Sequence, residues 1–274
     1  MTFLPPMLAS PQNSLEKIVI RPGEWIAEQK YDGHRMIVEV SEPQDLFGRW
    51  RVTAWSRDGL VRALPRQITD FASDLPRGLY DGELIVPSGK SYDVTRLDRI
   101  ESLHLVLFDL LERSGVSLLS KPLRERRLLL EEAVGKGCSS VSVAQQHPLQ
   151  QTSDVIVLAS AVWAVGGEGL VVKKLDSVYR PGKRPKDWIK IKQLRTAVLK
   201  VVGFRDGTRG PNTVLVLLDA DGNQTSVKAK NDLMIAELRR DSSQFLRRDM
   251  RIEFQERTPD GSYRHPRMDR WEDE

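Results

Sequence analysis

The chain has one cysteine and four histidines in 274 residues, and that scarcity narrows its chemistry. Cys138, having no second cysteine, forms no internal disulfide and reads as a packed side chain. His34, His104, His147 and His265 lie too far apart for zinc-ligand spacing. No apolar run approaches the roughly 18 residues that span a membrane. The opening MTFLPPMLAS lacks the basic start and long apolar middle of a signal peptide, so a cytoplasmic protein without a membrane partner is expected. Internal repeats and low-complexity tracts are absent too. What is present, 40% hydrophobic and 29% charged residues, describes an ordinary soluble protein with room for one large core or two smaller ones, since domains run to about 100–200 residues.

The net charge is only +4, but it is unevenly spread. From Lys183 to Arg209 there are nine basic residues against two acidic ones, Asp187 and Asp206, and a second arginine-rich tract runs from Arg239 to Arg270. Such tracts suit a polyanion, because each neutralised phosphate releases condensed counterions. A solvated face is the competing reading. Arg205 and Arg209 are the candidate nucleic-acid contacts at the end of the first tract.

Periodicity predicts strands at Trp25–Lys30 and Arg35–Val40, joined at Asp32-Gly33, then at Arg51–Trp55 and Leu79–Val86. SLHLVLFDLL, from Ser102 to Leu111, is apolar enough for a strand covered on both faces. Helices are expected at Pro122–Val134 and at Ser153–Val165, the latter capped by Thr152 or Ser153. EGLVVKK (Glu168–Lys174) and WIKIK (Trp188–Lys192) return to strand character. Strands and helices mix without regular βαβ alternation, so the class is α+β on antiparallel sheets. Beyond Gln193–Thr196 the pattern becomes strand-rich around one helix, Asp232–Arg240, as in a small oligonucleotide-binding barrel. Domains of residues 1–193 and 194–274 follow.

EQKYDGHR, Glu28 to Arg35, raises the chemical question. A β-hairpin with solvated charges would explain it; so would a nucleophilic Lys30. A lysine amine, with an ordinary pKa of about 10.4, is neutral in roughly one molecule in two thousand at pH 7. Burial or nearby cations must favour the neutral form, and Arg35, Arg57, Lys190 and Lys192 are available. Gly33, lacking a side chain, would admit phosphates to the backbone. Expelling pyrophosphate needs a metal and cationic groups. Glu168 is a candidate metal ligand, Lys173, Lys190 and Lys192 supply cations, Phe108 offers a flat face to a purine, and Glu83 an acceptor for a ribose hydroxyl.

In order along the chain, KYDGHR, SRDG (Ser56–Gly59), DGEL (Asp81–Leu84), LFDLL (Leu107–Leu111), EGLVVKK and WIKIK resemble the collinear motifs of the ATP-dependent DNA ligases. These belong to the covalent nucleotidyltransferases, with RNA ligases and capping enzymes. PPMLAS is similar to the opening of the compact bacterial ligase C and ligase D types. The resemblance implies an ATP-grasp-like nucleotidyltransferase domain followed by an OB-fold barrel. It further implies ATP as cofactor, AMP covalently on Lys30, Mg2+ or Mn2+, and nicked duplex DNA as partner, met by a monomer working among other repair proteins. Glu28 would lie at the adenine edge through its backbone, Arg35 and Arg57 would hold phosphate, including that of the nick, Glu83 would bind ribose and metal, and Phe108 would stack on adenine. Glu168 would bind metal; Lys173, Lys190 and Lys192 would meet nucleotide phosphates, with Arg184 just before them. Trp188 reads as structural. An RNA ligase, a capping-type enzyme and a nick-binding protein without adenylation are the alternatives.

The sequence departs from the family's pattern at its end. RHPRMDRWEDE starts like the family's closing basic motif, commonly RxDK, but finishes Glu272-Asp273-Glu274, leaving Arg264, Arg267 or Arg270 to substitute for the lysine. Without a helical DNA-binding domain or a long barrel insertion, nick affinity is expected to rest on the basic tracts and to fall with salt.

Overall fold

The computed structural model describes residues 3–12, 18–42, 50–95, 101–258 and 260–272, which leaves Asp273 and Glu274 of the unusual ending outside the described residues. The chain divides into two compact units, Met1–Ile191 and Lys192–Glu274. Sheet dominates both, with few helices, and the class is α+β.

In chain order the first unit runs β1 (Ser10–Pro11), β2 (Trp25–Gln29), β3 (His34–Ser41), β4 (Arg51–Ser56), β5 (Val61–Arg62), α1 (Arg66–Ala72), β6 (Gly78–Ile85), β7 (His104–Arg113), β8 (Val116–Ser117), α2 (Leu123–Val134), β9 (Val141–Val143), β10 (His147–Pro148), α3 (Thr152–Ala164), β11 (Gly169–Lys174) and β12 (Trp188–Lys192). One sheet is ordered β5-β4-β3-β6-β7-β8, with β9 beside β7; the other is β1-β12-β11-β2-β10.

This topology corrects the reading of Asp32-Gly33 as a hairpin turn, because β2 and β3 lie in different sheets. The KYDG segment is a crossing between them. Gly33 has a packing reason of its own: a Cβ there would meet the Leu84 carbonyl oxygen at 2.3 Å and the Ile85 side chain at 2.7 Å. The missing side chain admits β6.

Helix α2 begins after Pro122 and ends at Gly135, whose φ of +59° suits glycine. Leu123, Arg126, Leu130 and Val134 share its buried face. Helix α3 is capped differently from expectation. Gln151 is the N-cap, and the Asp154 carboxylate accepts from the Gln150 and Gln151 amides at 2.8 and 3.1 Å. Val155 and Ala159 turn inward against Leu170, Val172 and Ile191 of the second sheet. Between the two sheets, Met7, Ile37, Leu111, Tyr179 and Trp188 form one apolar cluster and Val106, Phe108 and Ala144 another.

The second unit contains β13 (Arg195–Gly207), β14 (Gly210–Leu218), β15 (Gln224–Lys228), α4 (Asp232–Arg240), β16 (Asp249–Phe254) and β17 (Arg267–Trp271). Its sheet, β15-β14-β13-β16-β17, is antiparallel and closes no barrel among the described residues. Asn231 caps α4 by accepting from the Met234 amide at 2.9 Å. Met234, Ile235 and Leu238 of α4 pack against Leu199, Leu215 and Met250.

Candidate active site

Lys30 follows the last residue of β2, and its amide donates to the Gly169 carbonyl at 2.8 Å, extending the β2–β11 ladder by one residue. That backbone bond places Lys30 beside Glu168, which precedes β11 after Gly166-Gly167, whose amides donate to the Trp163 and Val162 carbonyls at 3.0 and 2.9 Å. The Lys30 Nζ donates to Glu168 Oε2 at 2.6 Å, with the lysine side chain 22% and the glutamate 9% exposed. An amine that reaches solvent while held by an almost covered carboxylate is accessible to a ligand and fixed in direction.

Arg35 and Glu83 are direct partners across the β3–β6 ladder. The Arg35 guanidinium forms a fork on Asp81, at 2.5 and 2.7 Å, and reaches the Met7 carbonyl at 3.4 Å. Asp81 is fully buried and also accepts from the Tyr179 hydroxyl at 2.6 Å, which in turn accepts from the Met7 amide at 2.9 Å. Burial, and then the Asp81 charge, push the Tyr179 phenol well above its usual range.

Glu83 has a different environment. Burial drives its carboxyl up to about 7; Arg35 and Lys30 oppose this, while Glu168 and Asp81 add to it. Glu83 and Glu168 are near enough for the charge of one to act on the other, and together they offer two hard-oxygen donors. No group of three or more His, Cys, Asp or Glu gathers to hold a metal among the described residues. A divalent cation here therefore fits only if ligand oxygens and water complete its shell, as Mg2+ allows.

Phe108, 7% exposed, has two cations near its ring: the Arg35 guanidinium carbon sits 4.4 Å and the Lys173 Nζ 4.5 Å from its centroid. Lys173 is buried, also 4.3 Å from the Trp188 ring, and donates to Glu28 Oε2 at 2.6 Å. Burial lowers the Lys173 pKa against the opposing pull of Glu28. The other Glu28 oxygen accepts from Gln146 at 2.9 Å and has Arg127 at 3.7 Å. Glu28 thus uses its carboxylate inside the protein, and its β2 backbone pairs with Val171.

The remaining candidates sit on other segments of the chain. Arg57 is exposed in the turn between β4 and β5. Arg184 is exposed and donates to the Ala9 carbonyl at 2.5 Å. Lys190 and Lys192 are half-buried on β12, where Lys190 lies opposite Pro11. In the second unit Arg205 donates to Ser226 and Arg209 to Asp232. Of the arginines at the unusual ending, Arg264 holds Glu256 at 2.8 Å and Arg267 holds Glu253 at 3.0 Å, while Arg270 is exposed opposite Arg251. Glu272 is bound to Arg251 at 2.8 Å.

Sequence reasoning missed Asp81 as the anchor of Arg35, and with it Tyr179 and Gln146. It also missed the fully buried Asp109–Arg126 fork, at 2.7 and 2.8 Å. Asp81 carried a signal, since alternation in a strand puts it on the face of Glu83. Tyr179 and Gln146 lie in irregular segments, where no period marks them.

A family model described as the ATP dependent DNA ligase domain matches residues 6–192. A DNA ligase from Thermococcus onnurineus is 32% identical over 207 residues, an alignment covering 68% of this chain and 35% of that protein. The chain accordingly spans about a third of the length of the curated relatives it matches first. A Lig E DNA ligase, studied for DNA binding with a minimal scaffold, superimposes with a TM-score of 0.77 at 19% identity over 97% of this chain and 98% of that one. The ligase domain of M. tuberculosis LigD gives a TM-score of 0.58 at 23% identity over 98% and 94%.

Proposed function

The chain belongs to the ATP-dependent DNA ligase family, and on that premise we propose that it seals 5′-phosphate/3′-hydroxyl nicks in duplex DNA through an AMP carried on Lys30. The observation that carries the proposal is the 2.6 Å contact between Lys30 and Glu168, which presents a partly exposed amine beside an acceptor for its proton.

In the first step the Lys30 nitrogen bonds to the α-phosphorus of ATP, the bond to pyrophosphate breaks, and the departing amine proton passes to Glu168. In the second, an oxygen of the nick's 5′-phosphate attacks that phosphorus, and the P–N bond breaks with return of a proton to Lys30. In the third, the 3′-hydroxyl oxygen bonds to the 5′-phosphorus, its proton is released to solvent, and the bond to AMP breaks so that AMP leaves. The phosphoramidate keeps the leaving-group potential of ATP between steps, which a water-activating base would waste.

The residues divide this work. Phe108 stacks on adenine, and Glu28 lies at the adenine edge through its backbone. Glu83 takes the ribose, Arg35 and Arg57 take phosphate including that of the nick, and Arg184, Lys173, Lys190 and Lys192 supply positive potential to the nucleotide. Lys173 does so from within, as a buried charge beneath Phe108, because its ammonium is already engaged by Glu28. Glu168 and Glu83 would hold Mg2+ or Mn2+, which when bound offsets charge on the phosphates. The first unit is the adenylation domain and the second an OB-fold module whose Arg205 and Arg209 contact DNA. A cytoplasmic repair role, as a monomer, completes the proposal.

Incubation with ATP and a divalent cation, then with nicked DNA or nicked RNA, tests this reading. A Lys30-dependent AMP adduct consumed by nicked DNA supports it. An adduct formed from GTP, or consumed only by RNA, would replace the substrate; no adduct at all would leave a nick-binding protein.

A further inference from the structure

Residues 5–12, which include β1, take no part in the chemistry above, yet they are laced to residues 179–190. The Gly182 amide donates to the Pro5 carbonyl at 3.0 Å, the Leu8 amide to the Lys183 carbonyl at 2.8 Å, and the Gln12 amide to the Lys190 carbonyl at 3.1 Å. Ser10 Oγ shares its proton between the Arg184 and Pro185 carbonyls at 3.2 and 3.1 Å, and the Arg184 guanidinium returns a bond to the Ala9 carbonyl. β1 runs parallel to β12, with Ser10 opposite Ile189.

At the centre of this lacing is a closed circuit. Arg35 Nη2 donates to the Met7 carbonyl, the Met7 amide to the Tyr179 hydroxyl, and that hydroxyl to Asp81, which accepts the Arg35 fork. Every direction is forced, since an amide only donates, a carboxylate only accepts, and the one phenolic proton goes to the carboxylate. Met7 and Tyr179 are 0% and 3% exposed. The Tyr179 ring meets Trp188 edge-on at 5.8 Å, and the Tyr179 amide donates to the Leu119 carbonyl at 2.9 Å, so the hydroxyl has a fixed place.

The circuit does more than bury a charge pair. The Asp81 fork alone would neutralise Arg35. The Met7 carbonyl takes a further hydrogen, so Nε and Nη2 are filled, and Nη1, which makes no hydrogen bond among the described residues, is left to meet a ligand. The side chain keeps 19% of its surface exposed. A long, rotamer-rich side chain fixed in this way has already lost its freedom before an anion arrives, which is what preorganisation contributes to binding.

We propose that residues 5–12 and Tyr179 form a clasp that aims Arg35 at its phosphate. Tyr179 and Met7 are positioning residues for that contact, Tyr179 acting through Asp81 and Met7 through its carbonyl. The inference rests on the ligase reading for the identity of the phosphate, the 5′-phosphate of a nick. Because the same residues pair with β12, the clasp sets the backbone of Lys190 in the same frame as Arg35.

The test measures binding of the full chain, in EDTA so that no AMP is transferred, to two duplexes that differ only in a 5′-phosphate or a 5′-hydroxyl at the nick. Wild type is expected to prefer the phosphate; no preference would remove the phosphate contact and the clasp with it. Tyr179→Phe keeps the ring and removes the hydroxyl, and should cut the preference about tenfold while affinity for the 5′-hydroxyl duplex is unchanged. Ser10→Ala, which loosens the lacing without touching the core, should cut it about threefold. In an Asp81→Asn background Tyr179→Phe should add nothing, because the hydroxyl acts through that carboxylate. An unchanged preference in both single variants would overturn the clasp, and so would equal losses on the two duplexes, which a merely structural role predicts. If the preference fell as expected in a chain that never acquired AMP, the ligase reading would fall and the clasp would stand. If wild type sealed nicks and neither variant moved the preference, the clasp would fall and the ligase reading would stand.

Discussion

Glu28 and Lys173 meet at 2.6 Å with side chains only 3% and 2% exposed, so two full charges are neutralised within the protein beneath the face of Phe108. Such a pair returns little net stability because both ions have been desolvated. Removing one partner alone leaves the other short of its nearest counter-charge, and breaking a buried pair in this way costs about 3–5 kcal/mol.

Glu28→Ala and Lys173→Met are each expected to destabilise the chain by that amount, and the combined variant by less than either. Urea unfolding followed by tryptophan fluorescence measures this, since Trp188 lies 4.3 Å from the Lys173 ammonium. Additive losses in the double variant would show that the pair is not coupled.

Asp81 anchors Arg35 through two hydrogen bonds and is itself fixed by Tyr179. Asp81→Asn keeps the shape but removes the charge that aims the guanidinium. Loss of a charged hydrogen bond is worth about 1.5–3 kcal/mol, so single-turnover sealing by pre-adenylated enzyme should slow roughly 10–150-fold. AMP loading should change less. Equal losses in both steps would remove Arg35 from the nick phosphate.

Glu83 makes stability depend on pH. Its folded value of about 7 lies above the ordinary 4.5, so between those values the native state binds more protons than the unfolded one. The contribution is fully present below about pH 4.5 and is lost as pH rises through about 7. The urea midpoint of Glu83→Gln should therefore gain on that of wild type between pH 5 and 7 and then level off. A constant difference across that range would contradict a raised carboxyl.

Gly33→Ala places a methyl group 2.3 Å from the Leu84 carbonyl oxygen, so the crossing segment must move away from β6. Overpacking of this kind costs about 1–3 kcal/mol. Because the segment carries Lys30, AMP loading should fall even where the variant remains folded by circular dichroism. Retention of normal loading and normal stability would show that the segment has slack.

Much of this architecture could be read from the chain because local periodicity records it. The apolar run before Leu111 became β7, the leucine spacing after Pro122 became α2, and Asp232–Arg240 became α4. Misreadings occurred where distant segments decide. Asp32-Gly33 has the composition of a hairpin turn, yet β2 is taken up by β11 and β10, and β3 by β4 and β6, pairings set by residues far away in sequence. The short α1 escaped notice because only Ile68 and Ala72 of its seven residues are buried. Motif spacing brought Lys30 and Glu168 forward as site residues 138 positions apart, whereas the alternation that puts Asp81 on the face of Glu83 does not say which of the two holds Arg35.

The amine of Lys30 is the point on which the account turns. Intact-mass and peptide-mapping spectrometry of the purified chain, before and after ATP with Mg2+ or Mn2+, tests it directly. The expected result is one AMP per chain on Lys30, absent from Lys30→Ala and discharged by nicked duplex DNA. A chain that never gains AMP at Lys30 under these conditions, while remaining folded, would contradict it.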